Sequence, residues 1–302
     1  MLRDSKSYHY LKGILSLLMI VFCHSYYAQN DLLFEAQKLC NEKKYDQAIP
    51  MLEKIIIHPE TKNDPASWHI RSYAYLQLYK QAGPGNTSKI SLLDTSMTSA
   101  LVSMKLDSAK GYLENNTAFV KNGAASYYKI CTVLLQDSLN NNRSEIFFSK
   151  YKKYTSIINP SFDFKPKDIE YYNTMGSIFA DLYMKNNFNQ KYGDVAKYAL
   201  LKVLEIDNKN ISANINLGIL YYNQGATLMR MMDYDVDLAQ LDVIQENAKK
   251  LFKQSLPFMI KVYELDPKAE KALESLQGIY SALLDEEKAN EFKQKKEALN
   301  KQ

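Results

Sequence analysis

Apolar residues recur at helical spacing along almost the whole of this 302-residue chain. From residue 31 onward, successive segments place a bulky, a small and an aromatic side chain at about positions i, i+4 and i+7. Residues spaced in this way lie on one face of an α-helix, and the small residue lets another helix approach closely. The pattern therefore predicts an all-α fold built from paired helices.

A small residue stands at the centre of each well-formed copy of the pattern. We predict that every one of these residues faces a neighbouring helix, because a larger side chain would hold the two helices apart. The small positions are Ala36, Ser72, Ala124, Gly176 and Gly218.

The segment 214–267 carries the pattern most fully. Its first helix contains Gly218 and Tyr221, and its second helix ends at Asp266-Pro267, where proline cannot continue the hydrogen-bond ladder. This segment resembles a tetratricopeptide repeat (TPR), a helical hairpin that stacks on copies of itself. The resemblance implies a right-handed α-solenoid of about six antiparallel helix hairpins, some with extended helices, whose first helices line a concave groove.

Six helix pairs are expected from the spacing of the copies. They should start near residues 31, 65, 117, 169, 211 and 269. The fifth pair has apolar periodicity beyond the usual length, which predicts extended helices with Pro257 inside the second one. The sequence does not fix the exact repeat boundaries between Gly83 and Asn116.

The first 28 residues have the pattern of a signal peptide. Basic residues precede the apolar run 14–22, which is shorter than the roughly 20 residues needed to span a bilayer, and cleavage is expected near Ala28. Residues 29–302 then form the helical repeat domain, exported to the periplasm or beyond it. The composition, rich in tyrosine, lysine and asparagine, is similar to that of proteins of the Bacteroidetes. Cys23 leaves lipidation and membrane association open, although Phe22 stands where the lipoprotein motif requires a small residue.

Composition excludes several classes of protein. The net charge of +4 is small and the Lys and Glu residues are interspersed, so no basic stripe for nucleic acid is visible. With 10 Gly and 8 Pro in 302 residues, a turn-rich β fold is disfavoured. Cys40 and Cys131 lie on apolar helical patterns and are expected to be buried thiols, with a disulfide left open.

Residues that could form a metal site or a catalytic site are scarce. The mature chain keeps His58 and His69 without a second ligand at metal spacing, and it has no phosphate loop, nucleophile elbow or Cys-x-x-Cys motif. We therefore predict no cofactor, no metal and no enzymatic activity.

Tyrosine pairs fall on four of the predicted first helices. In each pair one tyrosine has the packing register and the other is rotated away from it, toward the groove that the TPR resemblance implies. Tyrosine offers a large contact area at low entropic cost, so the rotated residues are predicted to bind a partner. They are Tyr73, Tyr128, Tyr171 and Tyr222. The alternative is that they pack between neighbouring repeats.

The sequence is compatible with two functions. The first is a non-enzymatic scaffold of the periplasm or cell envelope that binds a protein or peptide in the groove. The alternative is a carbohydrate-binding outer-membrane surface protein with TPR-like helices, which an acylated Cys23 at the mature N-terminus would favour. The sequence identifies no partner.

Overall fold

The computed structural model describes residues 31–83, 86–136, 143–230 and 238–299, and all twelve longer elements in these ranges are α-helices. The signal-peptide prediction and Cys23 lie outside the described residues. The helices are α1 (31–41), α2 (Tyr45–Ile55), α3 (Pro65–Gln81), α4 (Ile90–Leu106), α5 (Leu113–Gln136), α6 (Ser144–Ile158), α7 (Lys165–Lys185), α8 (Gln190–Ile206), α9 (Ile211–Arg230), α10 (Leu238–Leu265), α11 (Glu270–Ala282) and α12 (Glu286–Leu299). A 3₁₀ turn, Thr87–Lys89, leads into α4.

The helices pack in sequential pairs. The helix α3 packs on α4, α5 on α6, α7 on α8, α9 on α10 and α11 on α12, while α1 and α2 share a hydrophobic core with α3. The first helix of a pair also contacts the first helix of the next pair, at α3–α5, α7–α9 and α9–α11. The predicted all-α class, the helix pairing and the approximate starts of the six pairs are confirmed.

The chain divides into two compact units, one ending at Phe162 and the other beginning at Asp163. The described part of unit 1 contains α1 to α6, and that of unit 2 contains α7 to α12. The predicted extension of the fifth pair is confirmed in unit 2, where α9 has 20 residues and α10 has 28, with Pro257 inside α10. Within the described ranges, no helix combines the length and the apolar character that crossing a membrane requires.

All five predicted small positions are buried. A Cβ atom placed on Gly176 would lie 2.6 Å from Leu200 on α8, and one on Gly218 would lie 2.7 Å from Met259 on α10. In unit 1 the Ser72 hydroxyl lies 3.2 Å from the Ser96 hydroxyl of α4. Ser72, Gly176 and Gly218 therefore face a neighbouring helix, as predicted, and that helix is the second one of their own pair.

Two further glycines extend the same packing rule, although the sequence pattern did not single them out. A Cβ atom on Gly123 of α5 would overlap the Met97 thioether of α4. A Cβ atom on Gly225 would lie 2.8 Å from the Phe252 ring and 3.1 Å from the Ala248 carbonyl oxygen, both on α10. Close helix approach therefore occurs both within a pair and between neighbouring pairs.

A polar network connects α2, α3 and α4 in unit 1. The Arg71 guanidinium donates to both Glu53 carboxylate oxygens at 2.9 and 3.1 Å and to the Ser99 hydroxyl at 2.6 Å, while the Tyr75 hydroxyl donates to Glu53 at 2.8 Å. Burial alone would raise the pKa of Glu53, but the hydrogen bonds from Arg71 and Tyr75 outweigh it and lower that pKa. The first two helix pairs are thus joined by charge-assisted hydrogen bonds as well as by apolar contact.

Candidate partner-binding surface

The first helices of unit 1 line a half-open cavity of about 290 Å³. It lies where α1, α3 and α5 come together, and its described lining contains no Asp, Glu, Lys or Arg. The lining residues are Gln37, Cys40, Asn41, His69, Ile70, Tyr73, Asn115 and Phe119. We call this space the unit 1 cavity.

Aromatic rings form the floor of the unit 1 cavity. The His69 and Phe119 rings stack with their centroids 5.2 Å apart and their planes at 12°, and Tyr112 lies 4.8 Å from His69. Tyr73 lies 5.9 Å from Phe119 and 6.0 Å from Tyr45. Ring pairs at these separations are mutually stabilising, so the floor is held in place from several sides.

A buried hydrogen-bond chain fixes the His69 ring. The Ser103 hydroxyl donates to the Pro65 carbonyl oxygen at 2.7 Å, so its oxygen can only accept from the Asn116 amide nitrogen, at 2.9 Å. The amide oxygen of Asn116 then faces His69 Nδ1 at 2.8 Å. Because that oxygen is an acceptor, Nδ1 must carry the hydrogen, which leaves Nε2 of the neutral ring as an acceptor.

The stability of unit 1 should fall as the pH is lowered below about 6.5. Burial lowers the pKa of His69 from its ordinary value, so the unfolded state binds more protons than the folded state between the two pKa values. Stability therefore rises with pH through this window and is lost below it. Urea unfolding followed by the fluorescence of the single tryptophan, Trp68, measures this dependence. His69→Gln should flatten the slope, and an unchanged slope in that variant would contradict the assignment.

Unit 2 has a smaller cavity, about 200 Å³, between its first helices α7 and α9. Here the Asn216 amide donates to the Ser177 hydroxyl at 3.0 Å, and the Asn223 amide approaches the Met184 sulfur at 3.5 Å. In each contact the two partners are 39 residues apart in sequence. The second contact lies seven residues, or about two helical turns, beyond the first along both helices. We call this the unit 2 cavity.

A third cavity, about 550 Å³, lies in unit 1 between α5 and α6. Ala125, Tyr151 and Ile158 are among its apolar walls, with Lys121 and Thr155 as polar neighbours. Since its walls come from the two helices of one pair and from the residues that follow α6, it does not belong to the surface formed by successive first helices.

The four tyrosines predicted to bind a partner lie in different surroundings. Tyr73 lines the unit 1 cavity. Tyr128 packs against Tyr151 of α6 with the ring centroids 5.0 Å apart. Tyr222 packs against Phe252 of α10, and its hydroxyl lies against α11 at Gly278. The structure thus brings Tyr73 to a cavity, packs Tyr128 against the second helix of its own pair and places Tyr222 against both its own pair and α11 of the next pair. Partner binding by these three tyrosines stays a prediction.

The prediction for Tyr171 requires correction. This side chain is 1% exposed, so its ring offers no contact area to a partner. The buried stripe of α7 runs through Tyr171, Met175, Phe179 and Tyr183 in steps of four residues, and Tyr172 is the half-buried neighbour. The sequence analysis assigned Tyr171 to the rotated register, and this assignment was wrong by one position.

Reasoning from the sequence missed most residues of the two cavities. Phe119 and Asn115 of α5 and Asn216 and Asn223 of α9 were not singled out, and His69 was considered only as a metal ligand. One signal was present, because Asn216 and Asn223 are seven residues apart and therefore lie on one helix face. Which face of each helix meets the next pair cannot be read from one helix alone.

The described residues contain no group of three His, Cys, Asp or Glu side chains placed to hold a metal ion. Cys40 and Cys131 are both buried thiols, as predicted. Burial raises the pKa of Cys40 to about 11, which keeps the thiol protonated and weakly nucleophilic at neutral pH. Rings and amides line the unit 1 cavity, and the lining of the unit 2 cavity also includes the carboxylate of Asp181.

Comparison with known proteins does not assign this chain to a family. No protein-family model matches the chain, and no curated protein matches it significantly.

Proposed function

We propose that this protein is a non-enzymatic scaffold that binds a peptide or protein partner on the surface formed by successive first helices. The observation that carries the proposal is that each unit has a cavity between first helices of consecutive pairs, where exposed or half-buried polar side chains lie beside buried apolar ones. Rings supply contact area and amides supply both donors and acceptors, which suits a peptide chain.

The proposal includes the finer architecture that the TPR resemblance implies. The helix pairs would be antiparallel hairpins stacked in a right-handed α-solenoid, with first helices on the concave side. The contacts between first helices of consecutive pairs at α3–α5, α7–α9 and α9–α11 support this arrangement. The small residues facing the second helix support it too, because a hairpin of this kind needs close approach.

Site-specific photo-crosslinking tests the proposed surface. A photoreactive residue is placed at Asn115 or Ser177, which line the cavities, or at Ser149 or Asn247, which are exposed on the second helices α6 and α10. Irradiation in cells should give a discrete adduct with one partner from Asn115 or Ser177. Adducts obtained only from Ser149 or Asn247, or from none of the four positions, would contradict the proposal.

We also propose that the protein is exported and acts in the periplasm or cell envelope. The basic residues and short apolar run at the N-terminus support this proposal. Mass spectrometry of the mature protein should find an N-terminus close to residue 29. An acylated N-terminal Cys23 would instead indicate membrane anchoring, and an intact Met1 would contradict export.

A further inference from the structure

The unit 1 cavity has a floor of rings and a rim of amides. His69, Tyr73 and Phe119 are half-buried on the floor beside the buried Ile70. The exposed side chains of Gln37, Asn41 and Asn115 form the rim. A volume of about 290 Å³ is slightly below the range of pockets that enclose a whole drug-sized ligand. Its size therefore suits a single side chain.

The occupant of this cavity should be uncharged. No Asp, Glu, Lys or Arg is among the described residues that line the cavity. Burial lowers the pKa of His69, so its ring is neutral at neutral pH. An ammonium or carboxylate group entering the cavity would lose its hydration without gaining a counter-ion, which is costly.

The floor of the unit 1 cavity suits an aromatic ring. His69 and Phe119 are stacked at 5.2 Å, and Tyr73 lies 5.9 Å from Phe119, so one more ring can join the cluster at similar spacing. A sugar could also stack its C–H face on these rings and direct its hydroxyl groups toward the rim amides, so a disaccharide is included among the probes below.

The rim suits an extended peptide. A side-chain amide carries a carbonyl acceptor and two N–H donors, which matches the alternating donors and acceptors of a peptide backbone. A helical peptide would satisfy these backbone groups internally and would leave the three rim amides unused.

We infer that the unit 1 cavity binds an uncharged aromatic side chain of an extended peptide, while the amides of Gln37, Asn41 and Asn115 hold the peptide backbone. The inference rests on the proposed function and deepens it, because it names the chemistry of the residue that unit 1 selects.

Ligand titration by NMR on the unmodified protein tests this inference. The probes are the blocked peptides acetyl-Ser-Gly-Xaa-Gly-Ser-amide, with phenylalanine, tryptophan, glutamate or lysine as Xaa, and the disaccharide cellobiose. The phenylalanine and tryptophan peptides should shift the imidazole resonances of His69, which His69→Gln identifies. The glutamate and lysine peptides should bind at least about tenfold more weakly, because a buried unpaired charge is costly.

Two variants of α5 locate the site. Phe119→Ala should weaken the aromatic peptides about tenfold through loss of the ring contact, whereas Asn122→Ala, exposed on the same helix and outside the cavity, should leave binding unchanged. If Phe119→Ala does not fold, Phe119→Leu keeps an apolar side chain without the ring and should still weaken binding.

Three results would overturn the inference. They are equal binding of charged and aromatic peptides, a shift of His69 by cellobiose and not by the aromatic peptides, and the absence of any shift at millimolar peptide. A discrete photo-adduct at Ser177 alongside any of these results would leave the proposed function standing. Failure of the whole proposal would instead remove the adducts at both Ser177 and Asn115.

Discussion

Gly176→Val should destabilise unit 2 by about 3 kcal/mol. Gly176 lies in α7 against α8, and a Cβ atom there would be 2.6 Å from both Cγ and Cδ2 of Leu200. The Cγ atom is the branch point of that side chain, so rotation of the leucine does not clear it and the two helices must separate. Valine in place of glycine favours the helix slightly, by a few tenths of a kcal/mol, which is too little to offset overpacking.

Urea unfolding followed by circular dichroism measures this loss. The matched control is Thr174→Val, an exposed position on the same helix, which should change the unfolding free energy by no more than about 0.5 kcal/mol. Equal stability of the two valine variants would show that Gly176 is not needed for close packing of α7 on α8.

Tyr127→Ala should cost unit 1 about 3–5 kcal/mol of unfolding free energy. Tyr127 is 0% exposed, and its ring stacks on Tyr154 at 5.5 Å and 14°. Its hydroxyl donates to Asp94 at 2.5 Å, and Lys150 donates to the same carboxylate oxygen at 2.6 Å. The substitution therefore leaves a cavity where α4, α5 and α6 meet and removes one of the hydrogen bonds that Asp94 accepts.

Tyr127→Phe separates the contribution of ring packing from that of the hydroxyl hydrogen bond. It keeps the ring and loses the hydroxyl, so it should cost about 1.5–3 kcal/mol, the usual net value of one hydrogen bond to a charged group. Trp68 lies in unit 1, so its fluorescence reports the unfolding of the same unit. A loss in Tyr127→Phe as large as that in Tyr127→Ala would mean that the hydrogen bond, and not the ring, holds these helices together.

The sequence predicted the helices because helical periodicity is a local property. The small residues at Ser72, Gly176 and Gly218 each lie in a stripe whose spacing is visible without knowledge of the partner helix. Each is buried against the second helix of its own pair. The number of pairs and their approximate starts followed from the same pattern.

The position of Tyr171 shows where this reasoning stops. Adjacent residues on a helix are about 100° apart, so a stripe read from Tyr172 and one read from Tyr171 both include Phe179. The helix α7 contacts both α8 and α9, so its buried face depends on two neighbours that its own sequence does not show. Periodicity alone therefore locates the buried face of a helix only to within about one residue.

The cavities could not be predicted, because they depend on how successive first helices meet. The buried residues of α3 include Ser67, Ile70, Ala74 and Tyr79, which are not confined to one face of the helix. The helix contacts α2, α4 and α5, so its sequence shows no single polar side that would mark the groove. His69 and Tyr73 belong to the surface only because Phe119 is brought beside them from α5.

The most direct test of the account is the affinity of the crosslinked partner for four arginine variants. Asn115→Arg and Ser177→Arg place a long cation at the two cavities between first helices, whereas Ser149→Arg and Asn247→Arg place it on exposed faces of the second helices α6 and α10. We expect affinity to fall by about tenfold or more in at least one of the first two variants and to stay unchanged in the last two. Weaker binding in Ser149→Arg or Asn247→Arg, with Asn115→Arg and Ser177→Arg unaffected, would show that the partner binds elsewhere.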